Sequence, residues 1–148
     1  LDASSESYPL HTFNLLNEGV MQKIAKAFKL QPSEIAGATL DAGTVKVDGF
    51  SGPAEGKVAV GLTNPDGKVS YAYSANGIGF WIAADGTVSS WGDAPIYYEY
   101  DASGYGLTVG HNPGHSEKSK TYIIKPTMVY NKGGKLHKAV ITIKMKFA

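Results

Sequence analysis

The sequence predicts an α+β domain that is mostly β: an antiparallel, two-layer, sandwich-like fold with one N-terminal helix. Three observations lead there. From residue 44 onward apolar side chains recur at every second position, as on half-buried strands. Glycine, Asn-Pro and Asp-Gly steps interrupt these runs at short intervals, the punctuation of hairpins. Ahead of them, one stretch carries helical spacing: Val20, Ile24 and Phe28 recur every fourth residue, with Met21 and Ala25 beside them.

Taken in order, residues 1–9 read as a linker, polar and ending in Pro9, and residues 10–148 as a single β-rich domain with an N-terminal helical segment. Asn17 is placed to cap the helix, with Glu18 favourable in its first turn. Pro32 is suited to open a second short helix through Ile35. Strands are expected at Val45–Val47, Val58–Leu62 and Val69–Tyr73, the last two joined by the turn Asn64-Pro65-Asp66-Gly67. A second hairpin is expected from Phe80–Ala83 through Asp85-Gly86 to Thr87–Trp91. Ile96, Tyr98 and Tyr100 then share one strand face, and Tyr97, Glu99 and Asp101 the other. Tyr105, Leu107 and Val109 form a further strand. Tyr122–Tyr130 and Leu136–Phe147 form a long closing hairpin around Asn131-Lys132-Gly133-Gly134. On its last arm Ala139, Ile141, Ile143, Met145 and Phe147 face inward, and Val140, Thr142, Lys144 and Lys146 outward. About eight strands at such spacing suit two packed sheets.

The bulk numbers bound the function. At 148 residues the chain suits one domain, burying roughly 68% of its unfolded surface without staples. With no cysteine there is neither a disulfide nor a thiolate metal site. A net charge of +1, from 14 basic and 13 acidic residues, gives no ground for a nucleic-acid partner. No apolar run is long enough for a transmembrane segment. Low charge with abundant glycine and tyrosine suits an exported protein. Opening on Leu1 leads us to expect a processed or trimmed piece with any signal peptide removed.

Chemistry concentrates between Asn64 and Gly114. Trp81, Trp91, Tyr97 and Tyr105 are candidates for a platform on which a sugar ring stacks, with Glu99, Asp93 and Asn76 as polar partners; the competing role for the same rings is core packing. Alternation turns Trp81 away from Phe80 and Ile82, so it faces out if they face the core. A glycosidase needs two carboxyls across a cleft, and no spacing here shows Glu99, Asp101, Asp85 or Asp93 converging; Asp85 most simply caps its own turn. His111 and His115 flank Asn112-Pro113-Gly114, a turn rather than a helical ligand pair, and read as ordinary loop histidines. No Gly-x-Ser-x-Gly elbow, P-loop or complete dinucleotide fingerprint occurs. Lys138, Lys144 and Lys146 form a basic stripe that reads as a solvated sheet face or a guarded edge.

Gly79, Trp81, the Asp85-Gly86 turn, Trp91-Gly92, Glu99 and Gly110-His111-Asn112-Pro113-Gly114 follow one another in an order that resembles a family. It is a domain of unknown function found in secreted and surface proteins of Bacteroides-type gut bacteria, often near glycan-degrading machinery. Tyr122, Tyr130 and the amphipathic last strand also fit. Ile82 and Ala83 stand where the family commonly has an aromatic and an acid, and His111 where it commonly has glutamine. The resemblance implies an exported bacterial setting and carries no catalytic activity with it. The expectation is therefore a non-catalytic accessory binding module of a secreted or surface protein, glycan-binding through Trp81, Trp91, Tyr97, Glu99, Asp93 and Tyr105, with no catalytic residues, metal or cofactor. Its partners would be a polysaccharide or oligosaccharide, or other domains of the same surface protein. The alternative is a protein–protein interaction or spacer domain with no small ligand.

Overall fold

The computed structural model describes residues 1–14, 18–30, 39–40, 52–71, 78–101 and 106–148. In chain order the elements are β1 (Pro9–Asn14), α1 (Glu18–Phe28), β2 (Thr39–Leu40), β3 (Lys57–Thr63), β4 (Val69–Ser70), β5 (Ile78–Ile82), β6 (Ile96–Asp101), β7 (Gly106–His111), β8 (Thr121–Ile124), β9 (Pro126–Lys132), β10 (Lys135–Val140) and β11 (Ile143–Lys146). The first sheet runs β1-β7-β6-β5 and the second β10-β9-β3-β2, with β4 also paired to β3; β8 and β11 form a separate ribbon. Every pairing is antiparallel except β2 with β3. The protein is thus mostly β, with one helix among the described residues.

Contrary to the expectation of an N-terminal helix, a strand comes first: β1 precedes the helix and forms the edge of the first sheet against β7. Its sequence, PLHTFN, lacks alternation because five of its six side chains are exposed, so period two had nothing to record. Nor do residues 1–8 hang free. The Leu1 ammonium donates to the Lys146 carbonyl at 2.8 Å, the Ala148 amide donates to Leu1 at 2.8 Å, and Ala3 packs on the main core. The helix buries Ile24, Ala25 and Phe28 against Tyr130 and Ala139. It stops at Lys29, which takes a left-handed φ of 61° so that the Leu30 amide reaches back to Ala25 and the Lys29 amide to Lys26, both at 3.0 Å. That is a Schellman closure with lysine where glycine is usual. Asn17, the second helix and the Val45–Val47 strand lie outside the described residues, as do Tyr73, Asn76 and Tyr105.

The expected β3–β4 hairpin forms: the Gly67 amide donates to Asn64 at 2.9 Å, with Gly67 at a φ of 85°. The turn at Asp85-Gly86 also forms. However, Thr87–Trp91 is not a strand; one bridge joins Ile82 to Val88 before the chain turns away. The closing hairpin bends rather than running straight. Val140 lies opposite Thr127 and Ile143 opposite Ile124, so the register carries unchanged across a break at Lys125 and Ile141–Thr142. The bend lets one apolar face serve two clusters. Ala139 packs beneath the helix, while Met145 and Phe147 join Phe80, Ile82, Ile96, Tyr98, Leu107, Val109, Tyr122 and Ile124 in the main core. Within that core the Tyr98 hydroxyl donates to the Gly61 carbonyl, tying β6 to β3.

Candidate functional site

Strand register decides which side chains share the outer face of the first sheet. On β5, Phe80 and Ile82 are buried and Trp81 between them is half-exposed. On β6, Ile96, Tyr98 and Tyr100 enter the core, which turns Tyr97 and Glu99 outward. Trp81 lies opposite Tyr97, and Tyr97 opposite Gly110; the next outward row runs Gly79, Glu99, Thr108, Thr12. An aromatic row therefore borders a polar one. In the polar row the Thr12 and Thr108 hydroxyls share a hydrogen bond of 2.9 Å, and Glu99 is exposed.

The aromatic row is braced from both sides. The Trp81 and Tyr97 ring centroids are 5.1 Å apart, and Tyr8 meets Trp81 edge-on at 6.5 Å. The Tyr8 carbonyl accepts the His111 amide at 2.9 Å, which pins this residue beside β7. Tyr97 faces outward by parity yet is only 6% exposed. Gly110 makes this possible: a Cβ there would collide with the Tyr8 carbonyl and the Tyr97 ring. Tyr97 is thus largely covered although its strand position faces outward. Burial, and secondarily the Glu99 carboxylate, push its phenol up to about 12, so it stays neutral at ordinary pH.

Trp91 and Asp93 sit elsewhere, on the turn after the Val88 bridge. Trp91 is 58% exposed and its ring neighbours His115, centroids 6.4 Å apart. Its carbonyl accepts the buried Asn112 side chain at 2.5 Å, while the Asp93 amide closes the turn onto Ser90 at 3.1 Å. Asp85 caps its own turn: its carboxylate accepts the Thr87 hydroxyl at 2.6 Å and the Thr87 amide at 3.0 Å, and these bonds, the hydroxyl first, hold its pKa below the usual value. His111 is not a loop histidine. It is fully buried at the end of β7, bonded through Nδ1 to Ser116 Oγ at 2.6 Å and stacked on Phe147, with no partner for Nε2. Among the described residues no group of three or more His, Cys, Asp or Glu is placed to hold a metal. Among them, too, no helix is long and apolar enough to cross a membrane.

Of the residues singled out from sequence, Trp81, Tyr97 and Glu99 come together on one face. Trp91 and Asp93 occupy the neighbouring turn, and Tyr105 lies outside the described residues. Tyr8, Thr12 and Thr108 complete the face without having been singled out, and Gly110, noted only in the family motif, joins them. For Thr108 and Gly110 the signal was the small or hydroxylated residues alternating with Leu107 and Val109 on β7; Tyr8 and Thr12 carried none. The family model described as Domain of unknown function (DUF4859) matches residues 7–135. The chain belongs to that family. No curated protein and no solved structure matches it. The family match begins just before Tyr8 and so takes in β1, the strand that supplies one border of the aromatic row.

Proposed function

We propose that the chain is a non-catalytic accessory binding module of an exported bacterial protein, built as a two-layer sandwich, and that it binds a glycan on the outer face of the first sheet. The observation that carries this reading is Trp81, half-exposed and braced by Tyr8 and Tyr97 beside the row Glu99, Thr108, Thr12. The weakly apolar C–H face of a sugar ring stacks on such an indole, while its hydroxyls take hydrogen bonds from threonines and give them to a carboxylate. Gly79, on the same strand face, keeps the sheet surface low beside the ring. Because Trp81 is already held, docking orders few side chains and loses little entropy. The exported setting rests on the family resemblance of the sequence. The absence of an enzymatic role is likewise our reading: Glu99 and Asp93 are borne on different elements, with no pairing between them among the described contacts.

The test is a glycan array followed by affinity gels. The wild-type chain should be retained on at least one polysaccharide with micromolar-to-millimolar affinity, and a folded Trp81→Ala variant should lose that retention. Absence of retention on every glycan, or retention unchanged in Trp81→Ala, would overturn the proposal. A protein-contact or spacer role is the second reading, favoured by the exposed aliphatics Ile123, Leu136 and Val140 on the closing hairpin.

A further inference from the structure

The helix and the main core cover adjoining parts of the closing hairpin, and an apolar cleft of about 480 Å³ opens along their seam. Ile24 and Ala27 come to it from α1, and Phe13 and Leu107, cross-strand partners, from β1 and β7. The hairpin bend supplies Ile141 and Ile143. The volume lies within the roughly 300–1,000 Å³ common for small-ligand sites. Apolar walls without a facing group forgo dispersion contacts, so an apolar occupant stabilises them.

Among its described lining residues the charge has one sign. Lys23 of α1 and Lys144 of β11 both line it, and both are solvent-exposed. No carboxylate is among the described lining residues. No aspartate or glutamate follows Glu117 in the chain, so the hairpin contributing Lys144 is purely basic. Lysine stems can lie along apolar walls while their ammonium groups stay at the mouth. We propose that this cleft binds a monomeric single-chain amphiphile ending in a carboxylate, with the tail between α1 and the bend and the head group at Lys23 and Lys144. The cleft is distinct from the Trp81 face, and the proposal stands whether or not that face binds glycan.

The full chain is titrated by calorimetry with dodecanoate, dodecanol and dodecyltrimethylammonium, each below its micelle-forming concentration, and with anionic phospholipid vesicles. Dodecanoate should bind saturably at one site per chain and raise the melting temperature, as a ligand of the folded state must. It should bind about tenfold more tightly than the cationic analogue at low salt, a preference that shrinks as salt rises. Lys23→Gln with Lys144→Gln should remove that preference and leave dodecanol binding in place. Ala27→Trp should abolish binding of all three; if that variant fails to fold, the lysine pair decides. Absence of saturable dodecanoate binding, equal affinity for the cationic analogue, binding unchanged in the lysine double variant, or binding to vesicles alone would overturn the proposal.

Discussion

Replacing Gly110 by alanine tests the construction of the aromatic face at its tightest point. The new Cβ would meet the Tyr8 carbonyl oxygen and two Tyr97 ring carbons, with Cζ only 2.5 Å away. Neither obstacle yields easily. The carbonyl is backbone, held by the His111 amide at 2.9 Å, and the ring is packed against Trp81 with centroids 5.1 Å apart. Overpacking of a rigid site typically costs about 1–3 kcal/mol, and here the entropy gained from a stiffer unfolded chain returns only about 0.4–1 kcal/mol. With backbone and ring both obstructing, we expect a net loss of about 3 kcal/mol. At about 2–4 °C per kcal/mol for a domain near this size, the melting temperature should fall by about 6–12 °C. Gly106 supplies the control: it lies on the same strand and face, its φ is not positive, and among the described residues a Cβ there meets only Thr12 Cγ2 at an ordinary 3.6 Å. Gly106→Ala should be neutral or stabilising by about 0.5 kcal/mol. Urea unfolding read by far-ultraviolet dichroism measures both. If the two variants agree within about 0.5 kcal/mol, Tyr97 does not lie across Gly110 and the braced face is wrongly built.

Other expectations follow from single contacts. Tyr98→Phe removes the buried hydroxyl that reaches the Gly61 carbonyl and should cost about 1–2 kcal/mol in urea unfolding. Burial raises the phenols of Tyr97, to about 12, and of Tyr98, well above the ordinary 10. A phenol whose pKa is raised by folding stabilises fully below the unfolded value and loses that contribution as pH climbs through the folded one. Stability should therefore drop between about pH 10 and 12, and Glu99→Gln should bring the Tyr97 titration to lower pH in a phenolate absorbance titration. Lys29→Gly should stabilise the end of α1 by about 0.5–1 kcal/mol in thermal melts, because only the glycine takes the φ of 61° without a steric penalty.

What the sequence made legible was parity. Alternation placed Phe80 and Ile82 in the core and Trp81 outside, and it separated Ile96, Tyr98 and Tyr100 from Tyr97 and Glu99. It also sorted the last arm, where Met145 and Phe147 are buried while Lys144 and Lys146 meet water. Parity fixes the side of a sheet but not what covers it. Tyr97 faces outward and is nevertheless buried, because Gly110 leaves space and Tyr8, far away in sequence, contributes a carbonyl and a ring nearby. β1 likewise carries no mark in the sequence: an edge strand with five of its six side chains exposed has no periodic pattern. The Thr87–Trp91 segment fails in the opposite sense. Its turn chemistry is right, with Gly86 at a φ of 91°, but beyond Val88 the chain folds into the Ser90–Asp93 turn instead of extending the ladder. The bend at Ile141–Thr142 was likewise unmarked, since both arms keep one register through it.

The central claim is that Trp81, rather than the more exposed Trp91, is the ring a glycan meets. The chain has 2 tryptophans, so it should give two indole N–H signals in a nitrogen–proton correlation spectrum, assigned with Trp81→Phe and Trp91→Phe. Titrating the isotope-labelled chain with a glycan retained in the array should shift the Trp81 signal saturably and leave Trp91 near its starting position. Movement of Trp91 alone, or a Trp81 signal indifferent to a glycan that binds, would contradict the account.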